Sequence, residues 1–242
     1  MDLFTQLMAF EETVAYRTLP PAGLPPFRHV VGSRPVLISA PHATRHTRNG
    51  NKKMEEEFTA SFAHYLAKNT NSHALFNHWE IPEDPNWDQE SNYKRELAQI
   101  VDDHQIEIVI DLHGMTNRHN LGVAVGTMNG RACPGYESPL RQAFVDTGFH
   151  EVKIDDLSSL QKQGWDRLIF DHPRFTGGIK SHTVTRFTVE KLEIPAMQIE
   201  LCSAGRLVYR GPHDGWPFHY FGDTKGIKAT MQALETFVGS IV

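Results

Sequence analysis

The sequence has little that would point to an extracellular or membrane-bound protein. Its two cysteines, Cys133 and Cys202, form no pattern, so we expect reduced thiols rather than a disulfide. The longest apolar runs, such as residues 108–110, are far shorter than the roughly 20 residues of a membrane-spanning helix. Residues 1–10 lack the basic region and long apolar stretch of an export signal. We therefore expect a soluble, cytoplasmic protein with no membrane partner.

An excess of basic charge is also missing. Lysine and arginine number 24 against 29 aspartates and glutamates, a formal net charge of −5, whereas a nucleic-acid partner calls for a basic face. The length of 242 residues, 40% of them hydrophobic, suits one large domain or two small ones. We expect a single domain over residues 1–242. Because proline density disfavours a long helix, residues 1–34 are expected to form an irregular N-terminal arm with a short strand or two.

Beyond the arm, apolar runs alternate with segments of helical spacing. The runs predict strands at 35–40, 73–76, 106–112, 121–125, 151–154 and 196–201, and the spacing predicts helices at 54–68, 91–103, 139–147, 183–192 and 222–242. This alternation indicates an α/β fold: a mixed, mostly parallel central sheet with helices on both faces, as in phosphorylase- and hydrolase-like proteins. In such sheets, ligands bind at the carboxyl ends of the strands.

Fourteen histidines stand out in the composition, and two of them occur where strands are predicted to end. His42 follows the strand at 35–40, and His113 follows the strand at 106–112. Glutamates 55–57 open the helix predicted next to the first of these strands, at the same edge of the sheet. Two histidines and one carboxylate leave an open position on a tetrahedral zinc, the ligand set of a hydrolytic site. Glu200, set in an apolar strand, is then a candidate general base.

Each of these residues also has a simpler interpretation. A histidine after a strand is often a hydrogen-bonded structural residue, three glutamates suit a solvated first helical turn, and Glu200 could form a buried ion pair. No short metal signature such as H-E-x-x-H is present. The residues alone therefore leave the metal site and the structural interpretation open.

Several short segments carry a resemblance. They are residues 39–43 (SAPHA), 56–60 (EEFTA), 84–88 (DPNWD), 93–94 (YK), 111–114 (DLHG), 125–127 (VGT), 198–200 (QIE) and 209–210 (YR). In this order they resemble the N-formylglutamate amidohydrolase-like family of zinc hydrolases. That family is related in fold to zinc carboxypeptidases, aspartoacylase-type deacylases and peptidoglycan amidases. The matching segments span roughly three-quarters of the chain.

The resemblance implies one zinc ion per chain, held by His42, an acidic residue on the helix and His113, with Glu200 as the general base. Relatives place the acid three residues before a threonine, which selects Glu56. Helical geometry slightly favours Glu55, which stays the alternative. The chain departs from the carboxypeptidases, in which a glutamate stands three residues after the first histidine, because Arg45 occupies that position here.

The expected reaction is hydrolysis of an amide bond in a small N-acyl amino acid, similar to N-formylglutamate. Candidates to clamp the substrate carboxylate by paired hydrogen bonds are Arg45, Arg206 and Arg210, although each would also suit a surface ion pair.

Three other histidines, at 46, 182 and 213, could approach the site or bond to loops, and Asp111 could orient an imidazole. The alternatives are a peptidoglycan or peptide amidase and a non-catalytic metal-binding module. The exact substrate, the native metal and the oligomeric state are not determined by the sequence.

Overall fold

A computed structural model describes residues 1–157, 164–212 and 217–241. The helices are α1 (Leu3–Glu11), α2 (Thr59–Thr70), α3 (Asn92–His104), α4 (Glu137–Asp146), α5 (Val184–Lys191), α6 (Ser203–Arg206) and α7 (Thr224–Ser240). The strands are β1 (Phe27–Val30), β2 (Val36–Ala40), β3 (His46–Arg48), β4 (Asn51–Lys53), β5 (His73–Asn77), β6 (Ile108–Met115), β7 (Val123–Gly126), β8 (His150–Glu151), β9 (Arg167–Phe170), β10 (Ala196–Cys202), β11 (Tyr209–Arg210) and β12 (Tyr220–Phe221).

Eight strands form the central sheet, in the order β1-β5-β2-β6-β10-β7-β9-β8. Strand β1 is antiparallel to β5, and β10 is antiparallel to β7. The other five pairings are parallel. The predicted mixed, mostly parallel sheet is therefore confirmed. Strands β3 and β4 form a separate two-stranded sheet, as do β11 and β12.

Alternating side chains of the central strands bury both faces of the sheet. On one face, Val36 and Ile108 join a large apolar cluster with residues of α1, α2, α4 and α7. On the other face, Leu37 and Val109 pack with Tyr93 of α3 and with residues of α5. Because both faces are covered, the central strands β2, β6 and β10 are buried along almost their whole length rather than alternating between buried and exposed residues. The prediction of helices on both faces is confirmed.

The N-terminal arm is more ordered than expected. Residues 1–34 contain helix α1 and strand β1, with Asp2 accepting hydrogen bonds from the backbone of residues 4 and 5 as the helix cap. The prolines of this region begin only at position 20, so they do not constrain the first eleven residues. The prediction of an irregular arm was wrong for this helix and correct for the strand.

Helix α2 begins later than predicted, at Thr59 rather than near residue 54. Phe58 precedes it in the left-handed region, with a φ of 66°, which interrupts helical geometry. The Phe58 N–H and the Ser61 hydroxyl both donate to the buried carboxylate of Glu11. Glutamates 55–57 therefore lie before the helix and not in its first turn. The predicted strand at 151–154 is likewise shorter, because residues 154–156 form a 3-10 turn.

The order of the strands creates a crevice beside β2. From β2 the chain continues through α2 to β5, which pairs with one side of β2. It then returns through α3 to β6, which pairs with the other side of β2. The carboxyl ends of β2 and β6 lie at this reversal, the topological switch point at which open α/β sheets bind ligands. His42 follows β2 by two residues, and His113 lies near the carboxyl end of β6.

Two further expectations concern the described part of the chain. Cys133 and Cys202 are both buried and unpaired, as expected. None of the helices in residues 1–157, 164–212 and 217–241 combines the length and the apolar character that crossing a membrane requires.

Candidate metal centre

The carboxylate of Glu56 faces two imidazole rings. Its Oε1 lies 3.1 Å from Nδ1 of His42 and its Oε2 lies 2.9 Å from Nδ1 of His113. One nitrogen from each ring and one oxygen of Glu56 lie within 4.8 Å of one another. The three residues come from positions 42, 56 and 113, and the fold brings them to one edge of the sheet. Two ring nitrogens and one carboxylate oxygen at this spacing can share a single metal ion.

The outward nitrogens of both rings also meet carboxylates. Nε2 of His42 lies 2.8 Å from Oδ1 of Asp84, and Nε2 of His113 lies 3.1 Å from Oδ2 of Asp111. An ionised carboxylate only accepts hydrogen bonds, so Nε2 of His42 donates to Asp84. Nε2 of His113 lies between the Asp111 carboxylate and the amide nitrogen of Asn86, which is 2.7 Å away. Carboxylates placed in this way fix the orientation of metal-binding imidazoles and raise their basicity.

Glu56 is held by the backbone around it. Its N–H donates to the carbonyl of His42 at 2.8 Å, and the N–H of Gly114 donates to its Oε2 at 2.8 Å. An added Cβ at Gly114 would lie 2.5 Å from Nη2 of Arg206, so a larger residue there would displace the guanidinium group. Glycine at this position therefore allows the close approach of Arg206 to the backbone of β6.

Glu55 and Glu57 point elsewhere. Oε1 of Glu55 accepts from Nη2 of Arg17 at 2.7 Å, and Glu57 forms an ion pair with Arg210. The helical argument for Glu55 fails because the segment is not helical. Of the three consecutive glutamates, Glu56 is the one that contacts both histidines.

The pKa values of the cluster show that positive charge is favoured between the two rings. Burial lowers the pKa of His42, but the charges of Glu56 and Asp84 outweigh burial and raise it to about 9. Burial acts in the same direction on His113, and Glu56 and Asp111 raise its pKa well above the usual range. Burial raises the pKa of Glu56, whereas the two histidines lower it well below the ordinary value. Either protons or a cation must therefore sit at the Nδ1 atoms, and the donor set suits zinc.

A second group, His42, His46 and Asp84, also has ligand atoms close together. Its geometry is less suited to a cation. The rings of His46 and His42 stack face to face at 4.0 Å, and Nε of Arg48 donates to Oδ2 of Asp84 at 2.6 Å. The guanidinium already neutralises this carboxylate and would repel a metal ion beside it. The Glu56 group is therefore the better candidate.

Glu200 enters the same crevice from strand β10. It is the direct neighbour of His113 in the parallel pairing of β10 with β6, so both side chains leave the same face of the sheet. Burial raises the pKa of Glu200 to about 7; His113 lowers it and Glu56 raises it. Nε2 of Gln198 donates to its Oε1 at 2.7 Å. A carboxyl that exchanges its proton near neutral pH can act as a general acid and base.

The three candidate ligands and Glu200 line a cavity of about 440 Å³. Four cationic side chains line the same cavity: Arg48, Lys53, Arg174 and Lys180. Arg48 donates a hydrogen bond to Asp84, whereas Arg174 and Lys180 are exposed to solvent. An anionic ligand that enters the cavity would therefore meet positive charge before it reaches the histidines.

The three arginines expected to clamp a substrate are absent from this lining as far as the described residues define it. Nε of Arg45 donates to Glu80 at 2.7 Å, and Arg210 pairs with Glu57. Arg206 is buried beneath Gly114, where its Nε donates to the carbonyl of Leu201. Arg45 and Arg210 form ion pairs with glutamates, and Arg206 is buried. Their placement therefore does not support the expected role in substrate binding.

The other histidines named from the sequence have different positions. His46 borders the cavity, and the carbonyl of His182 accepts a hydrogen bond from Lys94. His213 lies outside the described residues.

Two loop residues of the site were not assigned a role from the sequence. Asp84 orients His42, and Asn86 places its Nδ2 2.7 Å from Nε2 of His113 while its Oδ1 accepts from the N–H of Val184. Both belong to the 84–88 segment of the resemblance. No spacing rule connects a loop at residue 84 to histidines at 42 and 113, so the pattern alone gives them no role.

The mixed sheet, with candidate metal ligands at its switch point, has the fold of known hydrolases. N-formylglutamate amidohydrolase from Ralstonia eutropha JMP134 is similar, with a TM-score of 0.58 and 13% identity over 90% of this chain and 97% of that one. The gene product Atu2144 from Agrobacterium tumefaciens has a TM-score of 0.52 and 11% identity over 93% and 98%. No family model and no curated protein sequence matches the chain. At these identities the likeness establishes the fold, which confirms the fold that the resemblance implied.

Proposed function

We propose that the chain is a zinc-dependent amidohydrolase that cleaves the amide bond of a small N-acyl amino acid, with His42, Glu56 and His113 as ligands of one zinc ion. The observation that carries this proposal is the arrangement of the two rings. Both Nδ1 atoms face the two oxygens of one carboxylate, and both Nε2 atoms are supported by further carboxylates. Three protein ligands leave a coordination position open, as in catalytic rather than structural zinc sites.

Zinc in such a site supplies Lewis-acid chemistry, because it polarises the carbonyl of the amide and makes water more acidic. The chain contributes the ligands and their orientation. Asp84 accepts the Nε2 proton of His42, which keeps the Nδ1 lone pair of that ring directed at the metal position, and Asp111 and Asn86 fix the orientation of the His113 ring. The low exposure of His42 and His113, 5% and 1%, limits competing water around the ligands.

In the proposed reaction, Glu200 carries the proton. Its Oε1 is held by Gln198, which leaves Oε2 to accept a proton from the attacking water. The same oxygen then donates this proton to the departing nitrogen, so that the amine leaves neutral. A pKa of about 7 suits both steps, since a general acid–base works best when its pKa lies near the working pH.

The proposed substrate is small and anionic. A cavity of about 440 Å³ is in the range of small-molecule sites, and its exposed cations at 53, 174 and 180 favour carboxylates. The fold is shared with an N-formylglutamate amidohydrolase, and that name describes an acylated acidic amino acid. An N-acyl glutamate or aspartate therefore fits both the charge and the size of the cavity.

A panel of N-formyl, N-acetyl and N-succinyl amino acids tests the proposal, with release of the primary amine as the readout. The substitution His113→Ala should abolish turnover and lower the zinc content by about one ion per chain. His150→Ala is the matched control, because His150 is exposed on the far edge strand β8. Unchanged zinc and activity in His113→Ala would contradict the proposal. Bound zinc without turnover of any amide, including peptidoglycan fragments, would favour a non-catalytic metal-binding module.

A further inference from the structure

A second histidine cluster lies away from the cavity. Nε2 of His29 is 3.2 Å from Nδ1 of His73, and the ring of His104 lies 4.4 Å from that of His73 and 5.3 Å from that of His29, between centroids. One nitrogen from each of the three residues lies within 4.8 Å of the others. We call these three residues the edge triad.

Three different elements supply the edge triad. His29 lies on the edge strand β1, His73 is the first residue of β5, and His104 is the last residue of α3. His73 lies at the amino end of β5. Asn77 lies at the carboxyl end of the same strand, where it contacts the carbonyl of Pro41 next to the candidate metal centre. The two ends of this five-residue strand are four steps apart, roughly 13 Å. The edge triad is therefore distinct from the proposed catalytic site.

From this geometry we infer that His29, His73 and His104 form a second metal site, which binds a divalent transition metal such as zinc. The nitrogens of His29 and His73 already stand at the spacing of tetrahedral ligands, which is about 3.3 Å for zinc–nitrogen bonds of about 2.05 Å. Three imidazoles without a carboxylate suit zinc, nickel or copper rather than magnesium or calcium.

A hydrogen bond between two histidines would explain only part of this cluster. Such a bond accounts for the 3.2 Å contact between His29 and His73, but it does not require the third ring. His73 is buried, His29 is half-buried and His104 is exposed, so the cluster opens to solvent on one side. Water can complete the coordination from that side, and a metal ion can enter there.

The surroundings also keep the ring nitrogens available. Burial, followed by the charges of His73 and His104, lowers the pKa of His29 to about 4. Burial and the charge of His104 lower the pKa of His73 as well. Neighbouring imidazoles repel one another when charged, which disfavours protonation of His29 and His73.

A metal at the edge triad would bridge β1, β5 and α3. Strand β1 lies at the edge of the sheet beside β5, and α3 ends at His104. An ion held by all three residues would fasten the edge strand and the helix end to β5. Binding only to the folded state then raises stability with metal concentration. This role is structural and independent of hydrolysis.

The test separates the two sites by substitution in the full chain. Metal-stripped His113→Ala protein, which lacks a ligand of the candidate metal centre, is titrated with zinc chloride by calorimetry. It should still bind about one zinc ion per chain and unfold at a higher temperature with zinc. His113→Ala combined with His104→Ala should lose both effects, whereas His113→Ala combined with the control His150→Ala should keep them.

Equal zinc binding with and without His104 would overturn the inference, as would a folded His113→Ala protein that binds no zinc. Circular dichroism establishes that each variant is folded. A second measurement does not depend on the His113 variant: cobalt chloride titrated into the otherwise unchanged chain should fill two sites by visible absorption, and only one site after His104→Ala. A single cobalt site in both proteins would also overturn the inference. Because the variants remove the two sites one at a time, a failure of the candidate metal centre to bind metal can be distinguished from a failure of the edge triad.

Discussion

Replacing Glu200 with glutamine separates catalysis from metal binding. Glutamine keeps the size of the side chain, and its amide oxygen can still accept the hydrogen bond from Gln198. What it loses is the ability to take and return a proton. Because Glu200 is not one of the proposed ligands, Glu200→Gln should retain wild-type zinc while the reaction slows.

The expected loss of activity follows from the role of Glu200 as general acid and base. General acid–base catalysis contributes about 10²- to 10⁴-fold, which corresponds to roughly 3–5 kcal/mol in the activation barrier. We expect kcat to fall by this factor, with KM changed much less, because substrate binding relies on other groups in the cavity. The acidic limb of the pH–rate profile should also disappear.

Glu200→Gln should lower the activity but raise the stability of the metal-free protein. In the metal-free protein, burial raises the pKa of Glu200 from its ordinary value of 4.5 to about 7. Between these values the folded chain keeps a proton that the unfolded chain has released, so stability falls as pH rises, and the full cost is present above pH 7. At about 1.4 kcal/mol per pH unit, Glu200→Gln should stabilise the metal-free protein by about 3 kcal/mol at pH 8 and by little near pH 4.5.

The assay combines steady-state hydrolysis, zinc analysis and urea unfolding at both pH values. Glu107→Gln is the control, since Glu107 is exposed and precedes strand β6 at the end away from the cavity. Activity within tenfold of wild type, or loss of zinc in Glu200→Gln, would refute the assignment of Glu200 as the base. Lower stability at pH 8 would refute the account of its pKa.

Three other substitutions have defined outcomes. Asp84→Asn should weaken zinc binding by about 10- to 100-fold in a chelator competition, because the carboxylate that accepts the His42 proton is lost. Arg174→Ala with Lys180→Ala should raise KM by about tenfold, at roughly 0.5–1 kcal/mol per exposed charge, and reduce the salt dependence of kcat/KM. Asp223→Ala removes the side chain that caps α7 and should cost about 1 kcal/mol, a decrease of about 2–4 °C in Tm.

The fold was largely predictable because the central strands and long helices carry strong local patterns. The strand at 106–112 and the helix at 91–103 are confirmed with ends displaced by one to three residues. The start of α2 was not predictable from its own residues, because it depends on Glu11 of α1, 47 positions away, accepting the Phe58 N–H. Such a contact leaves no trace in the periodicity of residues 54–68.

The candidate site was predictable where chemistry coincides with a strand end. His42 and His113 follow or occupy strands at one edge of the sheet, so topology alone brings them near each other. The arginines were different, because Arg45 and Arg210 find carboxylate partners at positions 80 and 57 that no local pattern reveals. Asp84 and Asn86 lie in an irregular loop, where only the folded chain defines which imidazole each one meets.

The central claim is that one zinc ion is bound between two imidazoles and Glu56. Diffraction data collected on either side of the zinc absorption edge test it most directly. The account predicts an anomalous peak about 2.0–2.2 Å from Nδ1 of His42, Nδ1 of His113 and an oxygen of Glu56, with no fourth protein ligand. A peak among His42, His46 and Asp84, or no zinc peak in the cavity of zinc-loaded protein, would contradict it.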